Sequence, residues 1–534
     1  MTTKPIYHPN ILTNTRSNAK SIRLPIGIKL IIALVAGLGF SFALAPYYLW
    51  PLALFSVMAL YALLVGEDSG RRGFWIGWVY GFGTWVIGAF WLYNSIHEYG
   101  AIPSWLAYMM IGVMAIIMGL FHAFFAWGFV RFLGRQPLAF ASFWVIQEWL
   151  KTWLLSGFPW LFVGYAFTEQ TWMNGLAPVL GVFGISFVAV LFAASVVELF
   201  RHKVAFIGLS ALTFAVSFGL GLVEWVKPSG EKLSVSLVQG NIPQYMNGLT
   251  EYRVRTLEIY EELSKSEWGQ DVVIWPEAAI PMFHDEAEPF IAGMINRARN
   301  NDSTWVTGLI YRDLKNYDEN HHAYPPIYNS VAVLGETQAL YKKQRLVPFG
   351  EYVPFEGLFN LLPDLANMQG GMSISRGSSN QAPFAIKGQN VGAAICYEVA
   401  YPETTRHNAK NTDFLMTISN DAWFGSSAGP WQHLQMVQMR SLETGRYFVR
   451  ATNTGVTAII NQKGQIVNQA PQFERTILRG EVESMSGVTP FVRFGSYPIL
   501  VLSALLILLS FVAKYGKSKT SRTQKYYTGK GVRD

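Results

Sequence analysis

The chain has 534 residues, of which 51% are hydrophobic and only 14% are charged. Soluble proteins average about 25% charged residues, so this composition excludes an ordinary soluble protein and indicates membrane segments beside a further domain. The formal net charge of +7 is no sign of nucleic-acid binding, because the basic excess lies in short loops and tails beside apolar runs. The single cysteine, Cys396, excludes an intramolecular disulfide and a metal site built from several cysteines.

The first part of the chain is predicted to cross a membrane repeatedly. Residues 1–26 are polar and basic, contain no acidic residue and show no cleavable signal peptide. Eight apolar runs follow, each near the ~20 residues that cross a bilayer. They are 28–45, 48–65, 74–96, 104–130, 137–156, 176–199, 204–226 and 494–513. We therefore predict a polytopic α-helical membrane domain of about eight transmembrane helices, seven in 27–230 and the eighth, with a linker, in 484–513.

The connections between these runs alternate in charge. Lys and Arg occur in 67–72, 131–135 and 201–203, whereas the intervening connections contain neither. Positive charge marks the cytoplasmic side of a membrane protein. Both termini are therefore predicted to be cytoplasmic, including the basic tail 514–534, and residues 231–483 to lie on the outer side.

Polar and aromatic residues of the membrane part permit more than one interpretation. Glu148 and Lys151, a helical turn apart in the fifth run, are either functional intramembrane charges or a structural pair. The aromatic residues at the outer ends form either an interfacial belt or a wall for a lipid acyl chain. They are Trp91, Tyr93, Trp105, Trp153 and Trp160. The uncharged loop from Gly157 to Tyr165 is a candidate gate for lipid.

Residues 231–483 are predicted to form one α/β domain. Its apolar strands are Leu233–Gln239, Asp271–Trp275, Thr304–Ile310, Ser330–Leu334, Val391–Ile395, Phe414–Ser419, Thr457–Ile460 and Gln465–Asn468. Its helices are Tyr252–Glu267, Pro289–Asn300 and Trp431–Arg450. Residues 461–464 predict a hairpin turn with Gly464 at positive φ. Because helices alternate with strands, we expect a layered sandwich.

Three motifs place reactive side chains at predicted strand ends. Glu277 follows a strand and Pro276, Lys343 precedes a Pro/Gly loop, and Cys396 closes a run of small apolar residues. A thiol with an ordinary pKa of about 8.5 needs a partner to become a thiolate. A nearby glutamate accepts its proton, and a nearby lysine stabilises the thiolate or a developing oxyanion. Together the three groups predict an acyl-transfer site.

Each of these residues also has an inert interpretation. A lone cysteine is commonly a buried hydrophobe, a glutamate after proline often begins a helix, and a loop lysine is usually solvated. The predicted location outside the cytoplasm favours a functional thiol, because an unpaired thiol without a function is easily oxidised there.

The motifs resemble those of a known family. Trp275-Pro276-Glu277, Lys343 before Leu346–Glu351, and Cys396-Tyr397-Glu398 resemble the Glu-Lys-Cys triad of the nitrilase superfamily. Joined to the membrane runs, they resemble the apolipoprotein N-acyltransferases, a membrane-bound family within that superfamily. Further matching stretches are Val238–Gln244, Ser419–Gly425, Thr452–Gly455 and Gly157–Trp160. The resemblance covers nearly the whole chain apart from its polar ends.

The resemblance implies a nitrilase-like αββα sandwich on the periplasmic side of a bacterial inner membrane. It implies N-acylation of the S-diacylglyceryl-cysteine of apolipoproteins, with a phospholipid such as phosphatidylethanolamine as acyl donor. Cys396 would be the nucleophile that forms a thioester, Glu277 the general base and Lys343 the group that stabilises the oxyanion. The supporting residues that it implies are Glu351, Glu398 and Tyr397.

Two further features keep alternatives open. Trp423 and Phe424 lie in a Gly/Ser-rich loop and act either as a lid in contact with lipid or in simple domain packing. The charges of the helix Trp431–Arg450 are predicted to form structural ion pairs. They are Arg440, Glu443, Arg446 and Arg450.

Two other functions share part of this pattern. A membrane-tethered amidase or nitrilase shares the triad but needs only one anchor. A transporter with a binding domain predicts several buried charge pairs and an internal repeat, neither of which is evident in the sequence. No cofactor, metal or nucleic acid is predicted, and nothing in the sequence demands more than a monomer.

Overall fold

A computed structural model describes residues 24–244, 250–315, 317, 324–352 and 373–527, with 516–527 described as backbone only. Most of the predicted N-terminal segment 1–26 and part of the predicted tail 514–534 lie outside the described residues. Two groups of elements follow one another along the chain. Apolar helices occupy both ends, and an α/β domain lies between them.

Each predicted apolar run corresponds to a helix. The α-helices of the described residues are α1 (Ile26–Phe40), α2 (Pro51–Val65), α3 (Gly70–Gly88), α4 (Ser104–Phe132), α5 (Pro137–Leu150), α6 (Ala177–Leu199), α7 (Ala205–Gly221), α8 (Thr250–Ser264), α9 (Glu288–Asn300), α10 (Pro402–Asn408), α11 (Gly429–Thr444), α12 (Pro490–Phe494) and α13 (Tyr497–Tyr527). Within the described residues, four helical segments are long and apolar enough to cross a membrane. They are Ile26–Ala43, Ser104–Phe132, Asn174–Leu199 and Tyr497–Tyr515. The helices α2 and α7 are apolar but shorter.

Glycines bring α3 and α4 into close antiparallel contact. A Cβ atom at Gly77 would lie 2.3 Å from the carbonyl oxygen of His122, and one at Gly81 would lie 2.9 Å from the Cα atom of Gly119. Small residues allow helix backbones to approach each other in this way where lipid supplies no hydrophobic driving force. The loop after α3 and the loop after α4 consequently lie at opposite ends of the helical bundle.

The α/β domain contains two sheets. Its strands are β1 (Val226–Gln239), β2 (Val272–Ile274), β3 (Ile280–Phe283), β4 (Thr304–Arg312), β5 (Ile327–Leu334), β6 (Gln338–Lys342), β7 (Phe384–Ile386), β8 (Gln389–Ile395), β9 (Phe414–Ser419), β10 (Phe448–Thr452), β11 (Ala458–Ile460), β12 (Ile466–Gln469) and β13 (Thr476–Gly487). The first sheet has the order β13-β1-β2-β4-β5-β6, with β3 beside β4, and the second has the order β12-β11-β10-β9-β8-β7.

The two sheets pack face to face between two layers of helices. Alternate residues of a strand point to opposite faces, so Val272 and Ile274 lie between the sheets while Val273 packs on the outer helices of the first sheet. The outer layer of the first sheet is α8 with α9, and that of the second sheet includes α11. The predicted layered sandwich is thus confirmed, as is the hairpin between β11 and β12 with Gly464 at a φ of 71°.

The layer that contains α11 also joins the α/β domain to the apolar helices. Met436 and Met439 of α11 belong to the same buried cluster as the helices of the membrane part. The carboxylate of Glu443 accepts a hydrogen bond from the backbone N–H of Val182 in α6, 2.8 Å away. The α/β domain therefore rests directly on the membrane part.

The predicted helix Trp431–Arg450 was wrong at its end. The helix stops at Thr444, and Gly445 takes a left-handed conformation with a φ of 64°, which favours glycine at a helix C-terminus. The next residues form β10, a strand between β9 and β11. Arg446 and Arg450 therefore lie beyond the helix and cannot form the ion pairs predicted within it.

Candidate active site

The ends of three strands bring Glu277, Lys343 and Cys396 together, as the sequence predicted. Glu277 follows β2, Lys343 follows β6, and Cys396 follows β8 on the facing sheet. All three side chains are buried. The Nζ atom of Lys343 lies 3.3 Å from Oε1 of Glu277, and both charges lie within electrostatic range of the Cys396 thiol.

Lys343 is held as an ammonium between two carboxylates. Its Nζ donates to Oε1 of Glu277 and, over 2.9 Å, to Oε1 of Glu351. The side-chain amide of Asn329 donates to the same two oxygens, at 2.7 and 2.9 Å. Burial by itself lowers the pKa of Lys343, but Glu277 and Glu351 together raise it well above its ordinary value. The amine consequently stays charged and fixed in place.

The Cys396 thiol is buried and protonated. Burial raises the pKa of the thiol well above its ordinary value, Glu277 raises it further, and Lys343 acts in the opposite direction. Cys396 also has a φ of 49°, which is uncommon for a residue with a side chain. Such strain concentrates at functional sites. A thiol in this state reacts only if a base takes its proton during the attack.

A histidine holds the backbone at the strained cysteine. Nε2 of His433, on α11, lies 2.9 Å from the carbonyl oxygen of Cys396 and donates to it. Nδ1 of His433 lies 3.1 Å from Oδ1 of Asp421, whose other oxygen accepts from Arg450. Although burial alone would raise the pKa of Asp421, Arg450 and His433 hold it well below its ordinary value. This buried chain fixes the position of Cys396.

The same residues contain a set of possible metal ligands. Ligand atoms of Cys396, Asp421 and His433 lie within 4.8 Å of one another. Both ring nitrogens of His433 already have partners, and the guanidinium of Arg450 neutralises Asp421. This arrangement suits a positioning network better than a cation site.

Glu398 connects the lysine loop to the cysteine strand. One carboxylate oxygen accepts from the backbone N–H groups of Gln344 and Arg345, at 2.6 and 3.0 Å. The other accepts from the Tyr341 hydroxyl at 2.9 Å and from the backbone N–H of Ile395 at 2.7 Å. Burial raises the pKa of Glu398, against the effect of these backbone hydrogen bonds. Its contacts link the lysine loop to the cysteine strand.

The membrane part touches the residue next to the nucleophile. The hydroxyl groups of Tyr397 and Tyr401 each donate to the carbonyl oxygen of Gly157, both at 3.2 Å. Trp160 stacks near Tyr397, with ring centres 6.4 Å apart, and its indole N–H donates to Gln432 over 2.7 Å. The uncharged loop that begins at Gly157 is therefore directly beside the catalytic domain.

Trp423 and Phe424 dock on the connection between α3 and α4. Their carbonyl oxygens accept hydrogen bonds from the side chains of Ser95 and Asn94, at 2.8 and 2.6 Å. The ring of Phe424 lies 4.7 Å from that of Trp91, whereas 43% of Trp423 is exposed. Both residues thus contact the membrane part, and the Trp423 side chain remains partly free.

Glu148 and Lys151, a possible structural pair in the sequence, are both buried, but their charged groups do not contact each other. Among the described residues, Glu148 and Lys151 form no ion pair: the carboxylate of Glu148 accepts from Trp144 and from the backbone of Val163, at 2.9 and 2.8 Å. The amine of Lys151 faces the rings of Trp85 and Phe162, at 5.6 and 5.2 Å.

Of the four charges predicted to pair within one helix, only two do so. Arg440 pairs with Glu443 at 2.9 Å, as predicted. Arg450 instead pairs with Asp421, and Arg446 donates to the carbonyl oxygens of Thr412 and Gly487. The difference follows from the end of α11 at Thr444.

Sequence reasoning missed several residues of the site. They are Asn329, Asn420, Asp421, His433 and Arg450. The backbone N–H of Asn420 donates to Oε2 of Glu277 over 2.8 Å. The sequence could have indicated Asn420 and Asp421 as site residues, because they are polar and directly follow the apolar strand β9. His433 and Asn329 lie within a helix and a strand, and only the folded chain brings them to the site.

A buried cysteine, glutamate and lysine at the strand ends of a four-layer sandwich define a domain of the carbon–nitrogen hydrolase class. Residues 234–489 match the family model described as "Carbon-nitrogen hydrolase". Residues 36–195 match a second model, described as "Apolipoprotein N-acyltransferase N-terminal domain". The two matches cover the α/β domain and much of the preceding helical part.

Relatives named apolipoprotein N-acyltransferase align with most of the chain. The Pseudomonas putida protein is 39% identical, over 89% of this chain and 95% of its own length. The Azotobacter vinelandii protein is 41% identical, over 89% and 93%. The Vibrio parahaemolyticus protein is 34% identical, over 90% and 96%. The chain belongs to the apolipoprotein N-acyltransferase family and is a membrane-associated acyltransferase.

Proposed function

We propose that the protein transfers a fatty acyl chain from a phospholipid to the N-terminal S-diacylglyceryl-cysteine of apolipoproteins. The transfer follows ping-pong chemistry through a thioester on Cys396 and completes lipoprotein maturation. One observation carries the proposal: the buried Cys396, grouped with Glu277 and Lys343, is followed directly by Tyr397, which donates a hydrogen bond to a loop of the membrane part. Family membership supports the same acceptor.

The first half-reaction forms the acyl-enzyme. The Cys396 sulfur attacks the ester carbonyl carbon of the phospholipid, and its proton passes to Glu277. Lys343 and a backbone N–H near Cys396 stabilise the negative charge on the tetrahedral oxygen. When the C–O bond breaks, Glu277 returns the proton to the leaving alkoxide. The products are a lysophospholipid and a thioester.

The second half-reaction consumes the thioester. The α-amino group of the diacylglyceryl-cysteine attacks the thioester carbonyl, and Glu277 accepts a proton from the amine. Breakage of the C–S bond releases the thiolate, which takes that proton back from Glu277. The amide product leaves, and the thiol of Cys396 is restored. Lys343 stabilises the oxyanion in this step as in the first.

The supporting residues hold this geometry. Glu351 fixes Lys343, while Glu398 joins the lysine loop to the cysteine strand. Tyr397 anchors the cysteine turn to the membrane part. Trp423 and Phe424 form a lid that contacts lipid, since exclusion of water protects a thioester from hydrolysis. The apolar aromatic surroundings favour transfer over the hydrolysis expected of a soluble amidase.

The membrane arrangement is part of the proposal. Eight helices cross the inner membrane of a bacterium as α1–α7 and α13, both termini are cytoplasmic, and the enzyme acts as a monomer. The domain bounds are 27–230 for the seven-helix region, 231–483 for the catalytic domain and 484–513 for the linker with the eighth helix. Loop positions support this: the α/β domain contacts the loops that follow α3 and α5, at the opposite end of α3 and α4 from the arginine-containing loops.

The acyl-enzyme gives a direct test. Purified protein incubated with phosphatidylethanolamine and no acceptor should gain the mass of one acyl chain on Cys396, removable by hydroxylamine. Glu277→Gln should remain unmodified, because the thiol keeps its proton. Cys396→Ser is the matched control for non-specific acylation. An unmodified Cys396 together with release of ammonia from small amides would instead support a membrane-tethered amidase.

A further inference from the structure

Two arginines lie near the loop that carries Lys343. Arg345, two residues after Lys343, donates from Nε to the Thr404 hydroxyl over 3.3 Å, and its guanidinium lies 5.0 Å from the ring centre of Tyr401. Arg376 lies over the ring of Tyr352, 5.1 Å from its centre. Both guanidinium groups are within electrostatic range of the Tyr401 hydroxyl. Arg345 thus contacts Tyr401 directly. Arg376 lies beside the lysine loop, because the backbone N–H of the next residue, Gly377, donates to the carbonyl oxygen of Lys343 over 2.8 Å.

Neither arginine is neutralised by an ion pair in the described part of the chain. The nearby carboxylates have other partners: Glu398 accepts from backbone N–H groups, and Glu403 pairs with Arg406 at 2.6 Å. The Nε atom of Arg345 is bonded, but its terminal NH₂ groups have no partner among the described residues. Aromatic rings hold both guanidinium planes in place, which reduces the entropy lost when they bind a ligand.

The position of Tyr401 relates the two arginines to the nucleophile and the membrane. Its hydroxyl donates to the carbonyl oxygen of Gly157 in the membrane part over 3.2 Å, and its oxygen lies 3.3 Å from the hydroxyl oxygen of Tyr397. Tyr397 directly follows Cys396. In a glycerophospholipid, only the glycerol backbone separates the sn-1 ester from the phosphate. With that ester at Cys396, the phosphate can reach only groups near the nucleophile, and Arg345 on the ring of Tyr401 is such a group.

We propose that Arg345 and Arg376 bind the phosphate of the acyl donor and thereby set donor specificity. The inference rests on the proposed function and identifies the donor by its phosphodiester. Guanidinium groups bind phosphate with strong, charge-assisted and often bidentate hydrogen bonds. The diacylglyceryl-cysteine acceptor contains no phosphate, so the two arginines act in the first half-reaction alone.

Single-turnover acylation of Cys396 tests this assignment. Nanodiscs containing phosphatidylethanolamine serve as donor for the unmodified protein, Arg345→Gln, Arg376→Gln and the double variant. We expect each single variant to slow acylation about 10-fold at subsaturating lipid, as loss of a charge-assisted hydrogen bond implies, with partial recovery in Arg345→Lys. Arg255→Gln, an exposed arginine on α8, is the matched control and should keep the unmodified rate.

Two further measurements separate phosphate binding from a structural role. A diacylglycerol donor, which has the ester without the phosphate, should react slowly and at the same rate in all variants. Aminolysis of the preformed thioester by a diacylglyceryl peptide should also be unchanged. Equal losses with both donors, or in both half-reactions, would overturn the inference and leave the arginines a role in folding the lysine loop.

The source of the phosphate is distinguished by competition. Inorganic phosphate at millimolar concentration should not slow acylation, because the site receives phosphate as part of a membrane lipid. The inference would be overturned if inorganic phosphate inhibited acylation, if Arg345→Gln abolished that inhibition, and if this variant were still acylated by lipid at the unmodified rate. The two arginines would then bind a free anion. If no lipid acylates Cys396 even in the unmodified protein, the proposed function itself fails.

Discussion

The protonation state of one thiol governs the chemistry at the scale of single residues. Burial and Glu277 raise the pKa of Cys396, so the protonated form dominates at neutral pH. Alkylation by iodoacetamide should therefore reach half of its maximal rate only at a pH above about 8.5, the pKa of an ordinary thiol. Lys343→Met should slow the reaction further at each pH, because it removes the cation that favours the thiolate. A plateau below pH 8 would contradict this description.

His433 is a positioning residue that acts through the backbone of Cys396. His433→Ala removes the donor to the Cys396 carbonyl, and we expect kcat for thioester formation to fall about 10-fold, the effect of one lost buried hydrogen bond. KM for phospholipid should change little, since His433 contacts no substrate. His433→Gln keeps an N–H donor and should recover part of the rate. A change confined to KM, or to thermal stability, would refute this role.

The residues of the site differ in how far the sequence could predict them. Glu277, Lys343 and Cys396 follow apolar strands, and strand ends in layered α/β folds are where reactive side chains emerge. His433 lies on a helix for which the local sequence pattern predicts only burial. Its role depends on contact with Cys396, 37 residues earlier in the chain, which only the tertiary fold establishes.

Elements were predictable where a local pattern decides them. Apolar runs located the helices, and alternation of strands and helices gave the sandwich. The end of α11 was not predicted, although Gly445 at C′ and the strand-favouring Tyr447, Phe448 and Val449 that follow it were visible signals. The predicted helix was extended to Arg450 because its charged residues are spaced as in a helix. In the structure, Arg450 lies on the strand β10 and pairs with the buried Asp421.

The contact of α3 with α4 gives a test at the scale of elements. Gly77→Ala places a methyl group 2.3 Å from the His122 carbonyl oxygen, so the helices must separate. We expect a loss of about 1–3 kcal/mol, typical of overpacking, seen as a lower thermal unfolding temperature in detergent. Gly112→Ala on α4 is the control, because its Cβ atom would have no neighbour within 4 Å. Equal stability of the two variants would disprove close packing at Gly77.

At the scale of the whole molecule, the two ends of the bundle differ in charge and in contacts. Cys396→Ala produces a chain without cysteine, into which single cysteines can be introduced. In intact cells, a membrane-impermeant maleimide should label Glu262→Cys on the catalytic domain. The same reagent should label Arg71→Cys, at an exposed position in the first turn of α3, only after the cells are permeabilised. The reverse labelling would overturn the proposed topology.

The central claim is that Cys396 transfers an acyl chain between two lipid-embedded substrates. The most direct measurement is mass spectrometry of lipoprotein N-termini from cells that depend on this protein, comparing the unmodified enzyme with Cys396→Ala at equal abundance. With the unmodified enzyme, the N-terminal cysteines should be N-acylated. With Cys396→Ala they should retain a free α-amino group beside the diacylglyceryl group. Continued N-acylation in the Cys396→Ala cells would contradict the account.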